Sequence, residues 1–212
     1  MTPNNIVNMA VIKGLDVIAV TDHNSCGNAA AVMKAAGDNI LVIPGIEAET
    51  SEEVHVVCYF PTLDGAYELE RLIKSSAAPI KNRPDIFGRQ YLMDAADNIV
   101  GEEENLLLSA SGLDIYTLTD AVRALGGAAV PAHIDRQSNS VLSNLGFLPP
   151  DLCVSTLEIT EKSRKALEPE YGGFNILTSS DAHYLENIAE RQYFLELPKK
   201  NAQTIVDFFV QK

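Results

Sequence analysis

Short apolar runs that alternate with helical segments limit what this chain can fold into. DVIAV (16–20), NILVIP (39–44), EVHVVCYF (53–60), AAVPA (128–132), TLEIT (156–160), FNILTSS (174–180) and QYFLEL (192–197) read as strands. Helical spacing recurs between them. One helix opens at Thr2-Pro3 and stops at Gly14, anchored by Ile6, Met9 and Ala10. Others span 27–36, 64–75 (Tyr67, Leu69, Leu72 and Ile73 apolar), 114–126, the polar stretch 161–168, and 201–211. Continuous apolar strands between helices predict an α/β fold with a mostly parallel sheet covered on both faces, either a barrel or an open doubly wound sheet. The 212 residues are expected to form a single domain, 1–212. Residues 76–112, with Pro79, Pro84 and NIVGEEENLLLS, interrupt the alternation and read as an inserted segment with local structure of its own.

Polar residues at the carboxyl ends of the strands carry the functional signal. His23 follows VIAV, and Glu47 follows LVIP after a turn at Gly45-Ile46. His133 follows AAVPA, while Asp181 and His183 follow ILTSS. His55 lies inside a strand, on one face with Val57 and Tyr59, and reaches the same centre if a tight hairpin joins it to Glu47. Taken singly, each has a plainer explanation: a hydrogen-bonded turn histidine, a loop carboxylate at Glu47, or a helix cap at Asp181. Together, all 4 histidines of the chain and two carboxylates converge on one rim, where α/β folds gather their active sites. Mixed imidazole and carboxylate donors suit zinc, manganese or iron. Such a cluster lowers the pKa of bound water to about 7 and clamps phosphoryl oxygens. Arg136, in PAHIDR, is placed to contact a phosphate, or else to form a salt bridge with Asp135 or another neighbour.

Composition narrows the partners. A net charge of −13 argues against a broad nucleic-acid surface, so a small phosphorylated substrate is expected and long nucleic acid is not. No apolar stretch reaches the roughly 18–20 residues of a membrane span. Three scattered cysteines (Cys26, Cys58, Cys153) form no metal-binding pair and fit reduced thiols in a cytoplasmic protein.

GLDVIAVTDHN, PGIEAET, EEVHVVCYF, PAHIDR and SSDAH, in this order, resemble the PHP (polymerase and histidinol phosphatase) family over nearly the whole chain. The resemblance implies a distorted seven-stranded β/α barrel and a metal-dependent phosphoesterase with two or three divalent metals. Glu47 would bridge, sharing one metal with His55 and His133. Asp181 would serve a second, and His23 with His183 a third, with Asp22 orienting a ligand from behind. A metal-activated hydroxide would attack phosphorus, with His133 or His183 near the leaving group. The single domain and the segment 76–112 look most like the nucleoside 3′,5′-bisphosphate phosphatase branch.

The pattern departs from the family at its start. The family opens with a strand bearing H-x-H, and no H-x-H occurs in this sequence. The barrel's first strand is expected to lie upstream of Met1, which would leave only the Glu47, His55 and His133 site intact. Two alternatives stand beside the phosphoesterase: an exonuclease on short oligonucleotides, and a catalytically degenerate barrel that binds a metal or ligand. Amidohydrolase-like chemistry would need a carboxylated lysine at a strand end, and no lysine occupies the rim.

Overall fold

The computed structural model describes residues 1–211. Pro3 begins α1 (Pro3–Ile12), and Gly14, at φ +73°, turns the chain into β1 (Val17–Val20). α2 (Ala29–Ala36) returns it to β2 (Leu41–Glu49), parallel to β1. β3 (His55–Tyr59) folds back antiparallel and leads into α3 (Leu63–Ser76). The next segment contains α4 (Pro84–Phe87) and the hairpin of β4 (Tyr91–Met93) with β5 (Ile99–Glu102). α5 (Ile115–Ala124) precedes β6 (Ala128–Pro131), which is antiparallel to β3. α6 (Val141–Leu145), β7 (Thr156–Glu158), α7 (Arg164–Leu167), β8 (Asn175–Leu177) and α8 (Ala202–Val210) follow.

The mixed α/β class matches the sequence pattern, but the pairing differs from it. The main sheet runs β1-β2-β3-β6, with one parallel and two antiparallel pairs; β7 and β8 pair in parallel apart from it. Only residues 50–54 separate β2 from β3, too few for a parallel crossover, so a hairpin results. One bond, Ile134 N–H to the Glu158 carbonyl at 2.9 Å, links the end of β6 to β7. Among the described residues, backbone hydrogen bonds do not close the strands into the expected seven-stranded barrel. Residues 192–197 form no strand. Tyr193 and Phe194 are exposed there, Tyr193 Oη donates to Glu161, and the neighbouring Arg191 pairs with Asp16, so side chains rather than a ladder hold this stretch.

β2 changes partner halfway along. It pairs with β1 as far as Pro44 and with β3 from Gly45 onward. A strand stop at Pro44 with a turn at Gly45-Ile46 is what the residue types suggest; instead the strand continues to Glu49. Pro44 needs no ladder donor here, and its carbonyl accepts from Phe60 N–H at 2.9 Å. A Cβ on Gly45 would lie 2.7 Å from the Cys58 carbonyl oxygen and 2.9 Å from Thr21 Cγ2, so this crossover requires glycine.

Each face of the sheet has its own core. Val42, Ile46, Ala48, Val56 and Cys58 pack outward with residues of α1, α2, α3 and α5. In α3 the buried stripe is Ala66, Leu69 and Ile73, whereas the apolar Tyr67 and Leu72 are exposed. The other face buries Ile43, Val57, Tyr59, Ala128 and Val130 against Ile205, Val206 and Phe209 of α8. Each buried valine, leucine, isoleucine or phenylalanine among them contributes about 1.5–3 kcal/mol on burial. Strand alternation continues this second face toward Glu47 and His55, so the α8 core forms the floor beneath the polar end.

Candidate metal centre

Glu47 sits at the centre of the histidines. Its Oε1 lies 3.0 Å from His55 Nδ1 and 3.3 Å from His133 Nε2, and its Oε2 lies 3.6 Å from His23 Nδ1. Strand geometry brings the first three residues together: His23 bridges Glu47 in parallel beyond the end of β1, and His55 heads β3 on the face Glu47 occupies. His133 arrives differently. Ala132 packs with the α8 core and Ile134 with the opposite core, so the alternation slips by one residue between them. His133 absorbs the slip at φ +29°, a strained value for a non-glycine residue that points its ring to Glu47.

Asp181 (φ +44°) and His183 approach from beyond β8. The rings of His23 and His183 are 5.8 Å apart, and His183 Nδ1 lies 3.7 Å from Asp181 Oδ1. Arg136 Nη2 reaches Asp181 Oδ2 at 2.5 Å. Asp135, the other partner considered for Arg136, instead accepts from the Thr160 N–H and hydroxyl. Asp22 does not face the cluster. Alternation sends its exposed side chain toward Asn28, away from His23, and only its carbonyl supports the site by accepting from Glu47 N–H at 3.1 Å.

The electrostatics favour a charged centre. Burial opposes ionisation of Glu47, yet hydrogen bonds from His133 and His55 and the proximity of His23 hold its carboxyl well below the usual range. Burial lowers the pKa of His23, the effect of Glu47 falling short of it. Burial also opposes protonation of His55, but there Glu47 outweighs it and the pKa rises. Desolvation pushes up the buried thiols of Cys26 and Cys58, and neither lines the pocket around Glu47.

A metal fits these residues. Ligand atoms of His23, Glu47 and His55 lie within 4.8 Å of one another. His133 faces Glu47 through Nε2, and its buried Nδ1 has no hydrogen-bond partner among the described residues, leaving a polar atom unsatisfied beside the cluster.

Residue types alone did not single out four further residues beside the cluster. Glu49, two positions beyond Glu47 and so on its face, lies 3.9 Å from His55 Nε2; a strand continued past Gly45 would have exposed that relationship. Glu158, buried at the end of β7, has its pKa raised by desolvation and stands near Ser179 and His133. Its position in TLEIT was a usable signal. Asn139 Nδ2 lies 3.0 Å from His55 Nε2, and Leu108 lines the pocket from the segment 76–112; neither had a local signature. The cavity measures about 250 Å³.

No family model and no curated protein matches the chain. Solved structures do. The lesion-specific endonuclease PfuEndoQ from Pyrococcus furiosus superposes with a TM-score of 0.71 at 17% identity, over 99% of this chain and 51% of its own. An Endonuclease Q complex with a 27-mer duplex bearing an abasic lesion at the active site gives 0.64 at 18%, over 87% and 45%. A Bifidobacterium adolescentis protein, provisionally described as a metal-dependent phosphoesterase, gives 0.58 at 16%, over 87% and 83%. The chain thus spans about half the length of the endonucleases it matches. These findings overturn the expectation that long nucleic acid is excluded as a partner, because a protein of this fold is crystallised on a duplex. Net charge averages over a whole surface and does not describe the rim of one cleft. Motifs and superposition agree at the level of architecture, and the chain has a PHP-type fold.

Proposed function

We propose that this chain is a metal-dependent phosphoesterase, a hydrolase of phosphate esters. The observation that carries the reading is Glu47, whose two carboxylate oxygens face three histidines from three separate chain segments. His23, Glu47, His55, His133, Asp181 and His183 would hold two or three divalent ions, with zinc, manganese and iron all compatible with the donors. When bound, such ions supply an activated water and neutralise charge on the phosphoryl oxygens. Arg136 would exchange its Asp181 partner for a substrate phosphate, and the freed carboxylate would turn to the metal. His133 and His183 would stand near the leaving group, His183 on the exposed side of it. Seven strands of a distorted barrel would complete the architecture, and the free thiols favour a cytoplasmic setting.

The likeness to a duplex-bound endonuclease favours a second reading, a nuclease acting on a DNA strand. At about 250 Å³ the cavity is smaller than the roughly 300–1,000 Å³ usual for drug-sized ligands, so either a small phosphoester or only the reacting phosphate of a long strand enters it.

The test is metal content together with hydrolysis of an aryl phosphate and of an abasic duplex, for the chain and for Glu47→Ala and His133→Ala. The expected result is near-stoichiometric metal and turnover, both lost in the variants. Well-folded protein that binds no metal and hydrolyses neither substrate would leave the degenerate, non-catalytic barrel instead.

A further inference from the structure

Leu108 is out of character with its surroundings. Histidines, carboxylates, Arg136, Ser138 and Asn139 line the rest of the pocket, and Leu108 is the single apolar lining residue among those described. It is 47% exposed, so it is not there to fill the core.

Its placement is held from both sides. Asn24, directly after His23 and buried at φ +49°, donates through Nδ2 to the carbonyls of Leu107 (2.8 Å) and Ser109 (2.9 Å), either side of Leu108. The same amide accepts from Glu49 N–H through Oδ1, at 3.0 Å. Leu107 N–H donates to Gln90 Oε1 at 2.9 Å, and Ser111 N–H to the Glu49 carbonyl at 2.9 Å. One side chain therefore ties the strand carrying Glu47 to the loop carrying Leu108. This is a fixed wall whose ordering cost is met during folding, before any ligand arrives.

We infer that Leu108 is a specificity-determining residue that selects phosphoesters whose organic group, next to the phosphate, presents an apolar ring face rather than a polyhydroxylated chain. The inference rests on the phosphoesterase reading for its use, but it can be tested without turnover. A phosphoryl group at the histidine end would leave its substituent against Leu108, where apolar contact is favourable and a hydroxyl facing the leucine gains no hydrogen bond from it.

The probes are phenylphosphonate and methylphosphonate, whose C–P bonds resist hydrolysis, titrated into the metal-loaded full chain. Phenylphosphonate is expected to bind about tenfold tighter, the order an apolar pocket contact gives. Leu108→Ala and the near-isosteric Leu108→Asn are expected to abolish most of that ratio while methylphosphonate binding and the melting temperature hold. A half-exposed position makes both variants safe to fold. Equal affinity in the wild type, a ratio that survives both variants, or no binding of either probe overturns the inference. A preserved ratio with no hydrolysis of phenyl phosphate would overturn only the phosphoesterase reading.

Discussion

Arg136 and Asp181 are ion-paired at 2.5 Å across the mouth of the pocket, one from the loop after β6 and the other from the loop after β8. The pair joins an anion-binding side chain to a potential metal ligand, so each occupies the other while both are unused. Arg136→Ala is therefore expected to raise KM for a phosphoester about tenfold or more, through loss of a charge-assisted contact, with metal content retained. Steady-state kinetics beside metal analysis checks this. Lost metal with unchanged KM would assign Arg136 to holding Asp181 alone.

Glu47→Gln preserves shape and removes the charge the histidines surround. Because Glu47 is the shared neighbour of His23, His55 and His133, metal affinity is expected to fall by at least about 100-fold, beyond the 10–100-fold typical of losing a supporting outer group. Competition against a chromophoric chelator measures it. Unchanged affinity would move the centre away from Glu47.

Gly45→Ala introduces a Cβ 2.7 Å from the Cys58 carbonyl oxygen, a backbone atom that cannot swing aside. The expected cost is about 1–3 kcal/mol, as for overpacking elsewhere, read from chemical denaturation. Metal affinity should weaken in parallel, since the insertion prises apart the strands that carry Glu47 and His55.

Asp114 caps α5, accepting from Thr117 N–H at 2.8 Å and from its hydroxyl at 2.9 Å. Those bonds, the backbone one foremost, lower its pKa. A depressed carboxylate stabilises the fold above its unfolded value, near 3.9, and the benefit disappears as pH falls through the lower folded value. Asp114→Ala should cost about 1 kcal/mol at neutral pH. The difference from wild type should vanish in strong acid. Paired urea melts across pH would show this, and a constant difference would exclude the cap as its source.

Much of the site was legible because its residues obey strand-end logic. His23, His133, Asp181 and His183 follow apolar runs that do become strands, and period-two alternation placed His55 on the correct face. Information was lost where a local rule yielded to tertiary contact. Pro44-Gly45 has turn chemistry, but β3 supplied a new partner and the strand ran on, which hid Glu49. The apolar run within 192–197 promised a strand, but among the described residues no neighbouring edge pairs with it. The pairing of Arg136 with Asp181 rather than Asp135 depended on Thr160, 25 residues away from Asp135 and beyond any local pattern. Leu108 and Asn139 entered through long-range loop packing, for which a single sequence holds no periodic signal.

The change of partner within β2 also sets an order of events in time. Its upper half joins β3 through a short hairpin, whereas its lower half meets β1 only after a crossover through α2. Hairpins close in about 1–10 μs, and distant pairings wait on slower chain closure. Glu47 and His55 would thus be neighbours while His133 is still far off, and an early-bound ion would hold a half-built chelate that later strands complete. Stopped-flow refolding should accordingly run faster with metal present, and an identical rate with and without it would place ion capture after the barrier.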